Sequence, residues 1–198
     1  MSWTAGSVRG MVANPDRRAM MCDAALHILG RDGPRPLTHR AVDREADLPL
    51  GTTSNYFPTR SALFAGMATR LFKALEPATE RLEKLGELAE ADAGPAYVGY
   101  IVERLLAQPD LARAWFELRL EATRSPDIAA LITPVLREGF VQDVSFHEQR
   151  GLPGGPDMVR TLHYLVDGIV FDALTVQIDP QTDPVEAAKQ ISRTLLPH

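Results

Sequence analysis

At 198 residues, 45% hydrophobic and 24% charged, the chain has the make-up of an ordinary globular protein and enough length to bury a core. No apolar run approaches the ~20 residues of a membrane span, and a single cysteine excludes an internal disulfide, so a reducing cytoplasm is the expected compartment. The net charge of −5 argues against a nucleic-acid partner only until it is divided: residues 1–72 hold nine arginines against six acids, a balance of +3, and the remainder holds 12 basic against 20 acidic residues, a balance of −8.

Residues 1–14 lack periodicity and read as a flexible N-terminal arm that is free to touch DNA; with no apolar core in this opening, export is not expected. The first helix, about 15–31, starts at Asn14-Pro15-Asp16, where proline is pre-set for the first helical position and the acid faces the positive end of the helix dipole. The same x-Pro-Asp form recurs at Pro109, Pro126 and Pro156, and Asp183 with Glu186 reads as a capping box. Met21, Ala25, Ile28 and Leu29 form one apolar stripe on the first helix, and Cys22 beside them reads as a buried small hydrophobe.

After the Gly33-Pro34-Arg35-Pro36 loop come a short helix at 38–45, a tight connection at Asp47–Pro49 and a second short helix at 49–55. Val42, Ala46 and Phe57 should face the stripe of the first helix, and Gly51 should let the third helix approach closely. Helices then follow at about 59–85, 94–107, 109–123, 126–149, 156–178 and 183–195, with a kink or break expected at Pro77 and Pro134. Nine helices and no alternating β-branched runs predict an all-α fold.

The two short helices have the layout of a helix-turn-helix, whose second helix lies in the DNA major groove. Thr52, Thr53, Ser54, Asn55 and Tyr56 on that helix are short donors and acceptors suited to phosphates and base edges.

The segment resembles the N-terminal domain of the tetracycline-repressor family of one-component regulators. Asp23-Ala24-Ala25-Leu26, the turn at Gly33, Leu37-Thr38, Gly51-Thr52 through Phe57, and basic Arg60 match its pattern over residues 15–65. The resemblance implies that Thr38, Tyr56 and Arg60 hold phosphates, and that Arg40, Thr52, Ser54 and Asn55 can face bases. The family commonly has a leucine where Thr53 stands and an aromatic where Ser54 and Asn55 stand; Asn55 is suited instead to pairing with an adenine. The resemblance further implies a ligand-responsive transcriptional regulator, a repressor released from a pseudo-palindromic operator by a small molecule. Residues 15–65 would form the reader, and residues 66–198 a ligand-binding and dimerisation domain.

Beyond residue 85 the residues speak more generally. Leu162, Val166, Ile169, Ala173 and Val176 make one stripe, and His163, Asp167, Val170, Leu174 and Gln177 a second face. With Val185, Ala188, Ile191, Leu195 and Leu196, these place a homodimer interface on helices about 156–178 and 183–195, where Gly168 permits close approach. Trp115, Phe116, Arg119, Phe140, His147, Tyr164, Asp167 and Phe171 are candidates for a partly aromatic effector cavity, with ordinary core packing as the competing reading. The i, i+4 pairs Glu117–Glu121 and His163–Asp167 read as solvated or salt-bridged rather than metal-binding. No catalytic residue, metal or cofactor is expected, since the motifs of hydrolases, nucleotide enzymes and zinc proteases are missing. The alternative reading is a helical partner-binding protein with a degenerate DNA-binding head.

Overall fold

A computed structural model describes residues 14–88 and 90–196. Ten helices account for most of them: α1 Pro15–Asp32, α2 His39–Glu45, α3 Thr52–Tyr56, α4 Arg60–Ala74, α5 Thr79–Gly86, α6 Glu90–Leu106, α7 Pro109–Ala122, α8 Pro126–Gln149, α9 Gly155–Leu174 and α10 Pro184–Leu195. The described residues contain no strand, and no helix among them is long and apolar enough to cross a membrane. The expected N-terminal arm falls almost wholly on residues 1–13, outside the described residues.

Local chemistry starts and stops these helices. The Asn14 side chain accepts from the N–H groups of Asp16 and Arg17, and Gly33 ends α1 at φ +80° with its N–H bonded to Leu29. Asp183 caps α10 by accepting from Val185 and Glu186. The expected capping box is only half formed, because Glu186 pairs with Lys189 at 2.6 Å.

Ten helices stand where nine were predicted, because Pro77 divides the long fourth one: α4 ends at Ala74 and α5 starts at Thr79. Residues 76–78 are exposed, so no packing offsets the hydrogen bond that proline removes. Pro134 does not break α8, which runs unbroken from Pro126 with Ile128 and Ile132 buried on one face. Pro95 likewise lies inside α6. The third helix begins at Thr52 rather than residue 49, and the ninth ends at Leu174, short of residue 178.

The largest core runs through α1 and on into the body. Met21, Ala25, Leu26, Leu29, Val42, Phe57, Phe64, Met67 and Leu71 join Ala114 and Leu118 of α7 and Ile128 and Ile132 of α8 in one buried cluster. Gly30 permits this approach: a Cβ there would lie 1.9 Å from the backbone oxygen of Asp110, so α1 and α7 meet backbone to backbone. A second core joins Val98, Val102, Ala112, Val166, Val170 and Ala188 across α6, α7, α9 and α10. A third, smaller core holds Leu85, Ala93 and Tyr97, with Phe146 packed on it.

Candidate nucleic-acid interface

The turn between α2 and α3 is built around a buried carboxylate. Asp43, on α2, is fully buried; its Oδ2 accepts the N–H of Gly51 at 2.7 Å, and its Oδ1 accepts the N–H and the hydroxyl of Thr53. Burial pushes the Asp43 carboxyl up, yet the hydrogen bonds from Thr53 and Gly51 outweigh it and hold the group below the usual carboxylate range. Asp47 takes φ 51° in this turn, a left-handed conformation that aspartate tolerates better than most residues. Gly51 takes φ +93°, and a Cβ there would meet nothing within 4 Å. The expected role of Gly51 is therefore corrected: it serves the left-handed backbone, not a close approach.

Thr53 is a second correction. It points into the core and spends its hydroxyl on Asp43, so α3 does not offer five polar side chains outward. The hydroxyls of Thr52 and Ser54 donate to the carbonyls of Pro49 and Gly51, at 2.6 and 2.9 Å, which leaves their lone pairs as acceptors. Thr38 is exposed and caps α2 by accepting the Ala41 N–H. Arg40 and Asn55 are exposed, and among the described residues neither side chain takes part in a hydrogen bond or ion pair. Tyr56 is half-buried, its hydroxyl 3.4 Å from the backbone nitrogen of Asn14, the first described residue. Leu50, which sequence reasoning passed over, is 69% exposed at the tip of the turn. Its signal was an apolar residue standing between proline and glycine, where burial has no neighbours to work with.

Arg60 sits differently from the others. Its guanidinium donates to the carbonyls of Leu37 and Pro34, lies 3.7 Å from Glu121 of α7 and stacks over Phe64. It thus ties the α1–α2 loop to α4 and α7, and a phosphate would have to compete for it.

The eight residues expected around an effector cavity do not converge on one. Trp115 packs edge-on against Phe72, Phe116 packs against Phe171, and Arg119 pairs with Asp167 at 2.5 Å, all between α7 and its neighbours. Phe140 lies beside His163, which bonds to Asp143. His147 is buried at the far end of α8, its Nε2 2.8 Å from the Pro153 carbonyl oxygen. Tyr164 and Phe171 are 69% and 50% exposed, so they face outward rather than into a cavity. Two open surface hollows lie elsewhere, one lined by Ser61, Ala65 and Leu131, the other by Tyr97, Arg150 and Leu152.

The stripe expected at the dimer interface is also reassigned. Val166 and Val170 are buried in the protomer's own core, with Leu162 and Ile169 packed on them. The outward face of α9 carries Tyr164, Gly168 and Phe171, and that of α10 carries Ile191 and Leu195.

Residues 89–198, more than half of the chain, match the family described as tetracyclin repressor-like, C-terminal domain. The chain belongs to the tetracycline-repressor family. It is similar to the HTH-type transcriptional repressor KstR of Mycolicibacterium smegmatis, 32% identical over 77 residues that make up 39% of this chain and 38% of that protein. The match to KstR of Mycobacterium tuberculosis is also 32% over 77 residues. The chain thus spans under two fifths of the length of these curated relatives. Among solved structures, the multidrug binding protein EbrR complexed with imidazole superposes with a TM-score of 0.69 at 27% identity, over 93% of this chain and 97% of that one. A member of the TetR family from Streptomyces coelicolor A3 superposes with a TM-score of 0.65 at 26% identity, over 93% and 100%. For this family member, the likeness to EbrR covers head and body together.

Proposed function

We propose that this chain is a ligand-responsive, DNA-binding transcriptional regulator, a repressor that a small molecule releases from its operator. The observation that carries this reading is the exposed polar face of Arg40, Ser54 and Asn55, flanked by Thr38 and Tyr56 and held rigid by the Asp43–Thr53 bonds beneath it. Arg40, Thr52, Ser54 and Asn55 face the bases, Thr52 and Ser54 as acceptors, and Thr38, Tyr56 and Arg60 hold the phosphates. Residues 15–65 act as the reader and 66–198 as the effector and dimer body.

The partner surface is a second copy of the chain, two-fold related through Tyr164, Gly168 and Phe171 of α9 and Ile191 and Leu195 of α10. Such a pair sets two α3 helices about 34–36 Å apart, matching a pseudo-palindromic operator. Trp115, Phe116, Arg119 and Asp167 are our choice for the wall of the effector site. The relatives, a transcriptional repressor and a multidrug binding protein, agree with both halves of this reading.

The test is a gel shift of the purified chain against duplex from the region upstream of its own gene, repeated over a salt series. A regulator binds with a steep salt dependence, and Asn55→Ala costs about 1–3 kcal/mol at a single base pair. Failure to bind any duplex in dilute buffer would sink the proposal.

A further inference from the structure

Arg104 on α6 lies beneath the junction of α4 and α5. Its Nη1 donates to the carbonyl of Leu75, the residue that caps α4. One turn earlier, the Tyr100 hydroxyl accepts the N–H of Ala78 at 3.0 Å, and the Tyr100 ring lies 5.8 Å from the guanidinium. Arg104 and Tyr100 therefore pin the two sides of the break at Pro77.

Among the described residues no carboxylate comes within 4.0 Å of Arg104, and Asp143, which it feels electrostatically, bonds to His163 instead. The Arg104 Nε is buried with no hydrogen-bond partner, and no described protein acceptor engages Nη2. Burial holds the group below the usual arginine range. A desolvated guanidinium with an unmet N–H is costly unless something pairs with it. The edge left over is the one that takes carboxylates elsewhere in this molecule. Arg70 grips Asp23 through Nε and Nη2 at 2.6 and 2.9 Å, and Arg31 grips Asp32 through the same two atoms at 3.0 and 2.7 Å.

We propose that Arg104 is the receptor for a small organic carboxylate, which docks side-on against its Nε–H and Nη2–H. The planar fork matches two carboxylate oxygens with two parallel hydrogen bonds, and Tyr100 supplies an aromatic wall. This rests on the reading that the body binds an effector, gives that effector a chemical class, and anchors its charged end on α6, apart from the aromatic wall of α7. The opposite edge of the same guanidinium holds Leu75, so a bound carboxylate acts on the end of α4, whose other end begins at Arg60 beside the reader.

The test follows the arginine Nε–H resonances of the ¹⁵N-labelled full chain, and its melting temperature, during titration with acetate, hexanoate and benzoate. Acetamide, hexanamide and benzamide serve as neutral isosteres, and the Arg104 resonance is identified by its loss in Arg104→Lys. The acids are expected to move that resonance downfield and to raise the melting temperature, while the amides do neither. Arg104→Gln is expected to lose the thermal shift. Should that variant fail to fold, Arg104→Lys keeps the charge but lacks the two-donor edge, and is expected to bind about ten-fold more weakly. Amides that match the acids, a thermal shift retained in Arg104→Gln, undiminished affinity in Arg104→Lys, or an Arg104 resonance unmoved by all three acids at millimolar concentration would each overturn the site. Neither readout contains DNA, so a chain that shows this response yet ignores duplexes keeps the site and loses the regulator reading. With operator present, the acid that binds is expected to weaken DNA affinity about five-fold or more; unchanged affinity removes the link through α4.

Discussion

Thr53 donates both its hydroxyl and its backbone N–H to one oxygen of Asp43, at 2.5 and 2.7 Å, across the turn that joins α2 to α3. Neither side chain reaches solvent. The angle at which α3 is presented therefore depends on a polar bond inside an otherwise apolar head.

Removing Asp43 leaves two buried donors and one half-buried donor unsatisfied, so Asp43→Ala is expected to destabilise the protein by about 3 kcal/mol. Thr53→Val removes one donor and is expected to cost about 1 kcal/mol. The pH dependence has a definite sign. The folded Asp43 carboxyl lies below its ordinary 3.8, so its stabilising effect is complete above that value and fades as pH falls through the lower, folded one. In Thr53→Val the folded carboxyl lies nearer its ordinary value, so this acid loss should be smaller and should be complete at a higher pH. Melting temperature measured from pH 6 downward, wild type beside variant, checks both statements; identical acid limbs would contradict them.

Arg60 is shared between the reader and α7, since Glu121 lies 3.7 Å from its guanidinium. Arg60→Ala is expected to weaken binding to all duplexes alike and to lower the salt slope by about one. Glu121→Gln frees the guanidinium and is expected to strengthen binding by up to about five-fold, the reach of a half-exposed ion pair. Fluorescence anisotropy over a salt series separates the two, and weaker binding in Glu121→Gln would assign that carboxylate a purely structural role.

The α9–α10 face makes a prediction about assembly. Phe171→Glu places a charge at the centre of the proposed contact and should convert the dimer to a monomer in sedimentation. Its helical content should stay unchanged, because half of the ring is already in solvent. Val166→Ala, a buried change on the opposite face, should lower stability and leave the dimer intact.

Cys22 should be inert in the native state. Burial is the main cause that pushes its thiol up to about 11, so almost no thiolate exists at pH 8. A thiol reagent should label it only on unfolding. The stabilising effect is complete below the ordinary value of 9.0 and is lost as pH rises through about 11. Native labelling at the rate of a free thiol would show that α1 opens away from Phe57 and α4, with which Cys22 shares a core.

Helix starts were legible because a cap needs only neighbours in sequence: Asn14, Ser125 and Asp183 each bond within three residues of themselves. The stripe of Met21, Ala25, Ile28 and Leu29 was legible for a similar reason, since the helical period alone puts those four on one face. The break at Pro77 was legible, but the continuity of α8 through Pro134 was not. A missing N–H is a local fact, and the packing that offsets it is not.

The same line divides the candidate sites. By itself the sequence determined that a polar pair of short helices follows an amphipathic one in the basic part of the chain, because residue type and spacing suffice for that. Which threonine of α3 faces the groove and which faces Asp43 was decided by tertiary structure, since a helix of five residues has no period long enough to mark its inner side. The pairing of Arg60 with Glu121, the outward turn of Tyr164 and Phe171, and the buried Nε of Arg104, unpaired among the described residues, were decided there too. Each depends on what stands opposite in space, across separations that no sequence period records.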